Sequence, residues 1–544
     1  MRRILQVFYA TFSAIIFSLA IPNEFITFGS PFLGLFALVP LYLALRNAKT
    51  YREAAFLTGW QVFCVHLLSS FWLGFFRDFA IFTLGASALG TGAIGMAFGC
   101  FLYFPFAHSR IENRFFYDST GLGVFTRTLF FAAIWTLYEW GKSFGFLGYP
   151  WGTIIMSSYK WPLITQIVSI TGTWGISFLF AFFSAIIAEG FCLITEIHRK
   201  DKASVFNAYS RCGAICIMFF LIVCVYGTFE YTKERIPIKN METVIVQQNL
   251  DPWEGTDSQV ISISTRLSTQ GINEAIETTG KKPDLVVWSE AVLARAFPSA
   301  LDYYMYNPDE QPLIPFIQEC QVPFVIGAPV RKETPTGRGY LNAALYFDKN
   351  AEYQGYYAKM HLVPFAEVVP GLEFEWIRNL LSKVIGISSG WLCGTEINLF
   401  DVPLNSGESV KISLPICFED AFSSVCSKLY KAGSEVFVNL TNDSWSLTKS
   451  AEYQHFVISS FRAIEFRTTL LRATNSGYSV VVDPAGKILA DLPLFQEAVL
   501  TTSVPIYERQ KTVYSILGDW VPLLCVISFI LFAIITQFSQ KRQK

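Results

Sequence analysis

Hydrophobic and polar positions follow three regimes along the chain. Up to residue 229, long apolar stretches succeed one another with few charges between them. From 230 to 516, apolar runs of three to five residues alternate with amphipathic stretches, and from 517 the chain is apolar again. A membrane span needs about 20 mostly apolar residues. The first regime predicts seven spans, at about 4–21, 31–45, 55–76, 79–106, 122–140, 163–194 and 212–229, and the last predicts an eighth at 517–537. The second is short, and the fourth and sixth are long enough to tilt or break. Gly85, Gly90, Gly92, Gly95 and Gly99 in the fourth suit close helix packing.

The middle regime predicts strands at Val244–Val246, Leu285–Trp288, Phe324–Ile326, Ala343–Phe347, Ile412–Ile416, Val436–Val438, Leu470–Ala473 and Ser479–Val482. Helical stretches fall at 258–279 and 450–467, and Pro484-Ala485-Gly486 reads as a hairpin turn. Runs apolar on both faces mean strands covered from both sides, hence a layered α/β domain. The expected organisation is a membrane domain 1–229, a water-facing domain 230–516, and a last span with its tail, 517–544.

Composition supports this division. Of 544 residues, 52% are hydrophobic and 16% charged, and mean hydropathy is +0.38. Soluble proteins carry about 25% charged residues. Residues 1–229 hold nine acids and fifteen bases, whereas 230–516 hold 33 acids and 24 bases. The net charge of −1 gives no basic excess for nucleic acid. With the N-terminus inside, fourteen Lys/Arg lie on cytoplasmic pieces and only Arg77, Lys142 and Lys160 on short outer loops. Both chain ends are then cytoplasmic and 230–516 lies outside. A cleaved signal peptide is the other reading of the first segment, but no small-x-small site precedes a soluble domain. The outer loop 141–162 is aromatic, either as an interfacial belt or as an arm over a lipid opening. Glu139 and Glu189, inside spans, are expensive there and become functional candidates.

Seven of the eleven Cys lie in predicted spans. Cys320, Cys393, Cys417 and Cys426 lie in the outer domain, where disulfides are permitted, and any pairing among the first two and Cys426 stays open. No CxxC or HExxH occurs and the five His are scattered, so no metal is expected. No GxSxG elbow is present.

Three strand ends carry reactive side chains. Leu285-Val286-Val287-Trp288-Ser289-Glu290 ends in a carboxylate. Tyr357-Ala358-Lys359-Met360-His361-Leu362-Val363-Pro364-Phe365 sets a lysine after the Tyr346 strand and its turn. Leu414-Pro415-Ile416-Cys417-Phe418-Glu419-Asp420 ends in a thiol, with a helix start beyond it. Reactive groups gather where strands end in such sheets. A helix N-terminus and a nearby ammonium favour a thiolate, and a carboxylate beside it can take and return a proton.

Glu after an apolar strand, Lys in K-x-H-L-V-P-F and Cys in I-C-x-E resemble the nitrilase, or carbon–nitrogen hydrolase, superfamily. That resemblance implies an αββα sandwich with a Glu-Lys-Cys triad. The flanking spans narrow it: nearly the whole chain resembles the apolipoprotein N-acyltransferase family, with eight spans and an outer nitrilase-like domain before the last. Glu139-Trp140, Gly148-Tyr149-Pro150-Trp151-Gly152, Thr173-Trp174-Gly175, Val246-Gln247-Gln248-Asn249, Asn442-Asp443-Ser444-Trp445 and Leu471-Arg472-Ala473-Thr474-Asn475 agree with that family. One departure is Phe418, where the family often has Tyr.

The resemblance implies acyl transfer from a membrane phospholipid, through a thioester on Cys417, to the α-amine of the S-diacylglyceryl cysteine of an apolipoprotein. Glu290 would be the base and Lys359 the oxyanion partner. Glu367 and Glu419 would orient Lys359 or the amine, and Trp253 and Trp445 would lie near substrate, as would Phe418. No cofactor is implied, the chain is expected to be a monomer, and its place is the bacterial inner membrane with the catalytic domain periplasmic. A membrane-anchored amidase or nitrilase, and a lipid transporter, are the alternatives. Finally, 371–395 reads either as a helix packed on the domain or as an amphipathic lid, with Trp376 and Trp391 as anchors and Gly386, Gly390 and Gly394 as points of movement.

Overall fold

The computed structural model describes the chain except residues 77–80, 110–120, 196–201, 252–254, 307–311, 335–336, 369–375, 377–389 and 542–544. It divides into two compact units. One comprises Met1–Lys233, Thr448–Val457 and Thr512–Lys544, the other Glu234–Leu447 and Ile458–Lys511.

The first unit is helical: α1 (Arg2–Ala20), α2 (Pro31–Phe36), α3 (Val39–Arg46), α4 (Tyr51–Ser69), α5 (Ser87–Ser109), α6 (Gly121–Lys142), α7 (Pro162–Thr165), α8 (Val168–Thr171), α9 (Trp174–Thr195), α10 (Lys202–Thr232) and a closing helix, Trp520–Lys541. Among the described residues, four helices are long and apolar enough to cross a membrane: Arg2–Ala20, Thr83–His108, Trp174–Ile194 and Tyr209–Thr232. Pro31–Arg46, Pro162–Thr171 and Trp520–Ile534 are apolar but shorter. The expected second span is two short helices, since Pro40 has no N–H to carry one helix through. The expected sixth breaks at Gly172, whose φ is +62° and where a Cβ would sit 2.4 Å from the Tyr514 ring. A Cβ on Gly95 or Gly99 would likewise collide with α4, at 2.1 Å from Val62 and 2.8 Å from the Ala54 carbonyl, whereas Gly85 and Gly90 face open space.

Charges inside this unit are cross-linked. Glu189 on α9 accepts from Arg46 at 2.7 Å, Arg127 at 3.0 Å and the Tyr42 hydroxyl at 2.5 Å. Glu139 accepts from the Ile154 N–H at 2.7 Å and Ser177 at 2.6 Å. The Lys142 ammonium donates to the Trp151 and Gly152 carbonyls at 2.7 and 2.9 Å. The aromatic loop therefore has two parts. Phe144 and Phe146 are exposed, as a belt requires, while Trp151 and Ile154–Ser158 are buried and tied to α6. Asp519, just before the closing helix, accepts from the Trp140 and Trp174 indoles and the Tyr514 hydroxyl, each at 2.9 Å.

Among the described residues the second unit holds twelve strands: β1 (Lys239–Gln247), β2 (Leu285–Val287), β3 (Phe324–Thr334), β4 (Gly337–Phe347), β5 (Tyr353–Ala358), β6 (Phe400–Pro403), β7 (Ser409–Ser413), β8 (Val436–Thr441), β9 (Thr469–Thr474), β10 (Val480–Val482), β11 (Ile488–Asp491) and β12 (Ala498–Ile506). They form two six-stranded sheets, β12-β1-β2-β3-β4-β5 and β11-β10-β9-β8-β7-β6. β1, β2 and β3 run parallel, as do β7, β8 and β9, and the outer strands pair antiparallel. Helix Asp257–Thr279, with a Thr256/Gln259 capping box, covers β1 and β12. Val244, Val246, Val286, Trp288, Phe324 and Ile326, alternate residues of three neighbouring strands, share one apolar core.

All eight expected strands are present, and the β10–β11 hairpin turns at Gly486 with φ +82°. β5, β6, β11 and β12 are additional. Each is half-exposed or lies at or near a sheet edge, so none reads as a continuous apolar run. Lys359 consequently follows β5, not the turn after the Tyr346 strand.

Candidate active site

Glu290 follows β2, Lys359 follows β5 and Cys417 follows β7, so parallel and hairpin connections bring three chain-distant side chains to one end of the sandwich. All three are buried, Lys359 to 1% exposure. Lys359 Nζ lies 3.3 Å from Glu290 Oε1 and 2.9 Å from Glu367 Oε1. Glu290 Oε2 accepts the Asn442 N–H at 2.9 Å, and Glu367 Oε2 accepts the Val363 N–H at 2.8 Å. Gly327 on β3 makes room for the Glu290 segment, since a Cβ there would lie 2.7 Å from the Glu290 Cα. A glycine inside the apolar run Phe324-Val325-Ile326-Gly327 is the sequence signal of that close approach.

Charge balance sets the resting protonation. Burial alone would lower the Lys359 pKa, but Glu290 and Glu367 reverse this and hold it well above the ordinary lysine value. Burial raises Glu290 above 4.5, with Lys359 opposing and Glu367 adding. Burial and then Glu290 push the Cys417 thiol well above 9.0 against the pull of Lys359. The resting state is a neutral thiol beside a carboxylate that can receive its proton. The expected help from a helix N-terminus is minor. Cys417–Ala421 is one five-residue 3₁₀ turn, and Cys417 itself has φ +48°. Its strained backbone turns the thiol into the site.

The other expected residues separate into groups. Glu367 touches Lys359 directly. Glu419 makes no hydrogen bond to Lys359. Its buried carboxylate accepts from the Tyr357 hydroxyl at 3.0 Å and from the N–H groups of Met360, His361 and Ile416 at 2.7, 3.1 and 2.8 Å. It therefore joins the backbone around Lys359 to the backbone around Cys417, and burial raises its pKa to about 7. The Phe418 ring packs on Phe422, with centroids 4.8 Å apart, and on His361 at 5.6 Å. Trp445 is half-buried three residues after Asn442, whose N–H meets Glu290. Trp253 lies outside the described residues, as does most of the expected lid. Of that stretch, Trp376 is 68% exposed, while 390–394 is fixed. The N–H groups of Trp391, Leu392 and Gly394 donate to Glu367, Tyr340 and Lys359 carbonyls at 2.8, 2.7 and 2.8 Å. Gly390 and Gly394 allow close backbone packing there.

Asn342 on β4 was not evident from sequence. Its side-chain amide donates to both Glu290 Oε1, at 2.8 Å, and Glu367 Oε1, at 3.0 Å, while its backbone carbonyl accepts the Lys359 backbone N–H at 2.8 Å. One ammonium and one amide thus bridge the same two carboxylate oxygens. Tyr340-Leu341-Asn342-Ala343-Ala344 sets a polar residue in an apolar strand, the signal that was available.

The carbon-nitrogen hydrolase family matches residues 247–513, and the apolipoprotein N-acyltransferase N-terminal domain matches 13–186. Apolipoprotein N-acyltransferase 2 of Treponema denticola is 43% identical over 549 residues, spanning 100% of this chain and 99% of that one. Apolipoprotein N-acyltransferase 2 of Treponema pallidum is 38% identical, spanning 95% and 92%. Apolipoprotein N-acyltransferase of Borreliella burgdorferi is 30% identical, spanning 98% and 96%. With identity of this extent over both units, and with Glu, Lys and Cys meeting at the strand ends, the chain belongs to the apolipoprotein N-acyltransferase family.

Proposed function

We propose that the protein transfers an acyl chain from a membrane phospholipid to the α-amine of an S-diacylglyceryl cysteine at the N-terminus of an apolipoprotein. The meeting of Lys359 Nζ with Glu290 Oε1 at 3.3 Å, beside a buried Cys417, is the observation that carries this reading. In the first step Glu290 takes the Cys417 proton and the sulfur attacks the ester carbonyl carbon. Lys359 holds the oxyanion that forms, where one such donor is worth roughly 10²–10³ in rate. Collapse breaks the ester C–O bond, and the lysophospholipid leaves with the proton that Glu290 returns. In the second step Glu290 takes a proton from the incoming amine, whose nitrogen attacks the thioester. The C–S bond breaks, an amide forms, and Cys417 leaves with that proton as a thiol. Each step balances with the chain's own groups and the two lipids.

Glu367 holds Lys359, Glu419 holds the backbone on both sides of the site, and the Phe418 N–H lies next to the nucleophile. Trp253 and Trp445 are assigned to the lipid substrates by their likeness to the family's aromatics. Eight crossings, with both chain ends cytoplasmic and 230–516 periplasmic at the inner membrane, put the site where both lipids reside. Burying an acyl chain is worth about 0.8 kcal/mol per CH₂, so the enzyme must work at the bilayer. It acts as a monomer.

Incubating the full-length protein with phospholipid alone, followed by mass spectrometry, tests the proposal. An acyl group on Cys417 that a diacylglyceryl peptide then removes as an amide is the expected result. No adduct on Cys417, or release as free fatty acid only, overturns it, the latter in favour of a membrane-anchored hydrolase.

A further inference from the structure

The turn that carries Cys417 is strained, and its two adjacent acids leave it in opposite directions. Glu419 binds the chain around Lys359 in the first sheet. Asp420 is fully buried and meets the Arg472 guanidinium on β9, itself 1% exposed. Arg472 also donates to Ser459 at 2.6 Å. Directly across the β8/β9 ladder from Arg472 stands Asn439, which is fully buried. Its amide donates to the Pro415 carbonyl at 3.1 Å and to the Cys417 carbonyl at 3.3 Å.

Two ladder partners therefore grip the turn at both its ends, Asn439 by its carbonyls and Arg472 by its acid. A residue at φ +48° persists only where its surroundings over-determine it. Asn439 fixes the peptide planes on either side of Ile416 and Cys417, and the Arg472–Asp420 pair sets how far the turn stands above the second sheet. A buried pair contributes little net stability over an apolar replacement. We infer that Asn439, Arg472 and Asp420 form a positioning cradle that sets the attack geometry of Cys417. This rests on Cys417 being the acylated nucleophile.

The discriminating measurement is the rate of Cys417 acylation by phospholipid in the full-length enzyme, at saturating and at low phospholipid. Asp420→Asn keeps an acceptor for Arg472 and removes its charge. It should slow acylation at saturation roughly 10-fold or more, as displacements of about 1 Å do, with an unchanged half-saturating phospholipid concentration. Arg472→Met should do the same, and Arg472→Lys should recover part of the rate. Iodoacetamide labelling of Cys417, followed against pH in each variant, keeps the test open where lipid turnover is lost. A cradle predicts slower labelling at every pH while the lysine variant recovers. Wild-type acylation in Asp420→Asn and Arg472→Met overturns the cradle. So does a loss that follows only the amount of folded protein, with labelling of the folded fraction normal. Failure of the wild type to acylate Cys417 would instead overturn the transferase proposal itself.

Discussion

The helical unit and the Lys359 site of the α/β unit hold their charges in different ways. In the helical unit several charges are matched by fixed partners. Glu189 has two guanidiniums and a hydroxyl, Lys142 has two carbonyls, and Asp519 has two indoles and a phenol. In the α/β unit the set Glu290, Glu367 and Lys359 has two acids for one base, and a reducible imbalance sits beside a neutral thiol. Saturated ions hold helices together. Under-compensated ions keep pKa values displaced, and displaced pKa values do chemistry. The acidic site can accept a proton because its neighbours have left a carboxylate short of positive charge.

The largest expected effect follows from removing that carboxylate. Glu290→Gln should reduce acyl-enzyme formation by roughly 10²–10⁴, measured as the rate of acyl appearance on Cys417, since it removes the base and nothing else of similar size. Wild-type acylation in this variant would break the comparison at once. Next comes the opposite region. Glu189→Gln leaves Arg127 and Arg46 without their carboxylate and should cost about 3–5 kcal/mol of stability, read from unfolding in detergent. Acylation by the folded fraction should be unchanged, and a loss of chemistry without a loss of stability would show that the helical charges are not merely cross-links.

Asn342→Ala sharpens the contrast inside the site. Its amide bonds to charged groups, worth about 1.5–3 kcal/mol, favour the ionised form of Glu290. The reaction needs that ionised form, so acylation falls as pH drops through the raised Glu290 pKa, and the acid limb lies above 4.5. Removing the amide should slow acylation 10- to 100-fold at neutral pH and move this limb to still higher pH. A rate loss with an unmoved limb would make Asn342 a scaffold residue only. The smallest effect belongs to Asp519→Asn, which keeps an acceptor but makes its three bonds neutral. It should lower stability by about 1–2 kcal/mol and leave the pH profile of acylation in place.

The sequence was most readable where burial is two-sided. Val286 and Val438 belong to strands apolar throughout, and periodicity finds those. It misses β12, where Ala498–Ile506 is half-exposed along an edge. The meeting of Glu290, Lys359 and Cys417 was legible because each sits in a distinctive local stretch. Asn342, Asn439 and Asp420 were not, since their roles arise from ladder register and from the direction in which a buried side chain leaves its turn. Glu419 shows the same limit from the other side. Its family position was evident, but its work on the N–H groups of Met360 and His361 depends on a meeting of segments nearly 60 residues apart.

The pairing of β1 with β12 has a consequence for how such a protein arises. Lys239 stands opposite Ile506, so the α/β unit begins and finishes on one two-stranded stem. A unit whose ends are adjacent can be set into the connection between two helices without forcing those helices apart, the geometry in which domain insertion is tolerated. The ladder holds the two ends of the unit together, while Thr448–Val457, within its span of sequence, belongs to the helical unit.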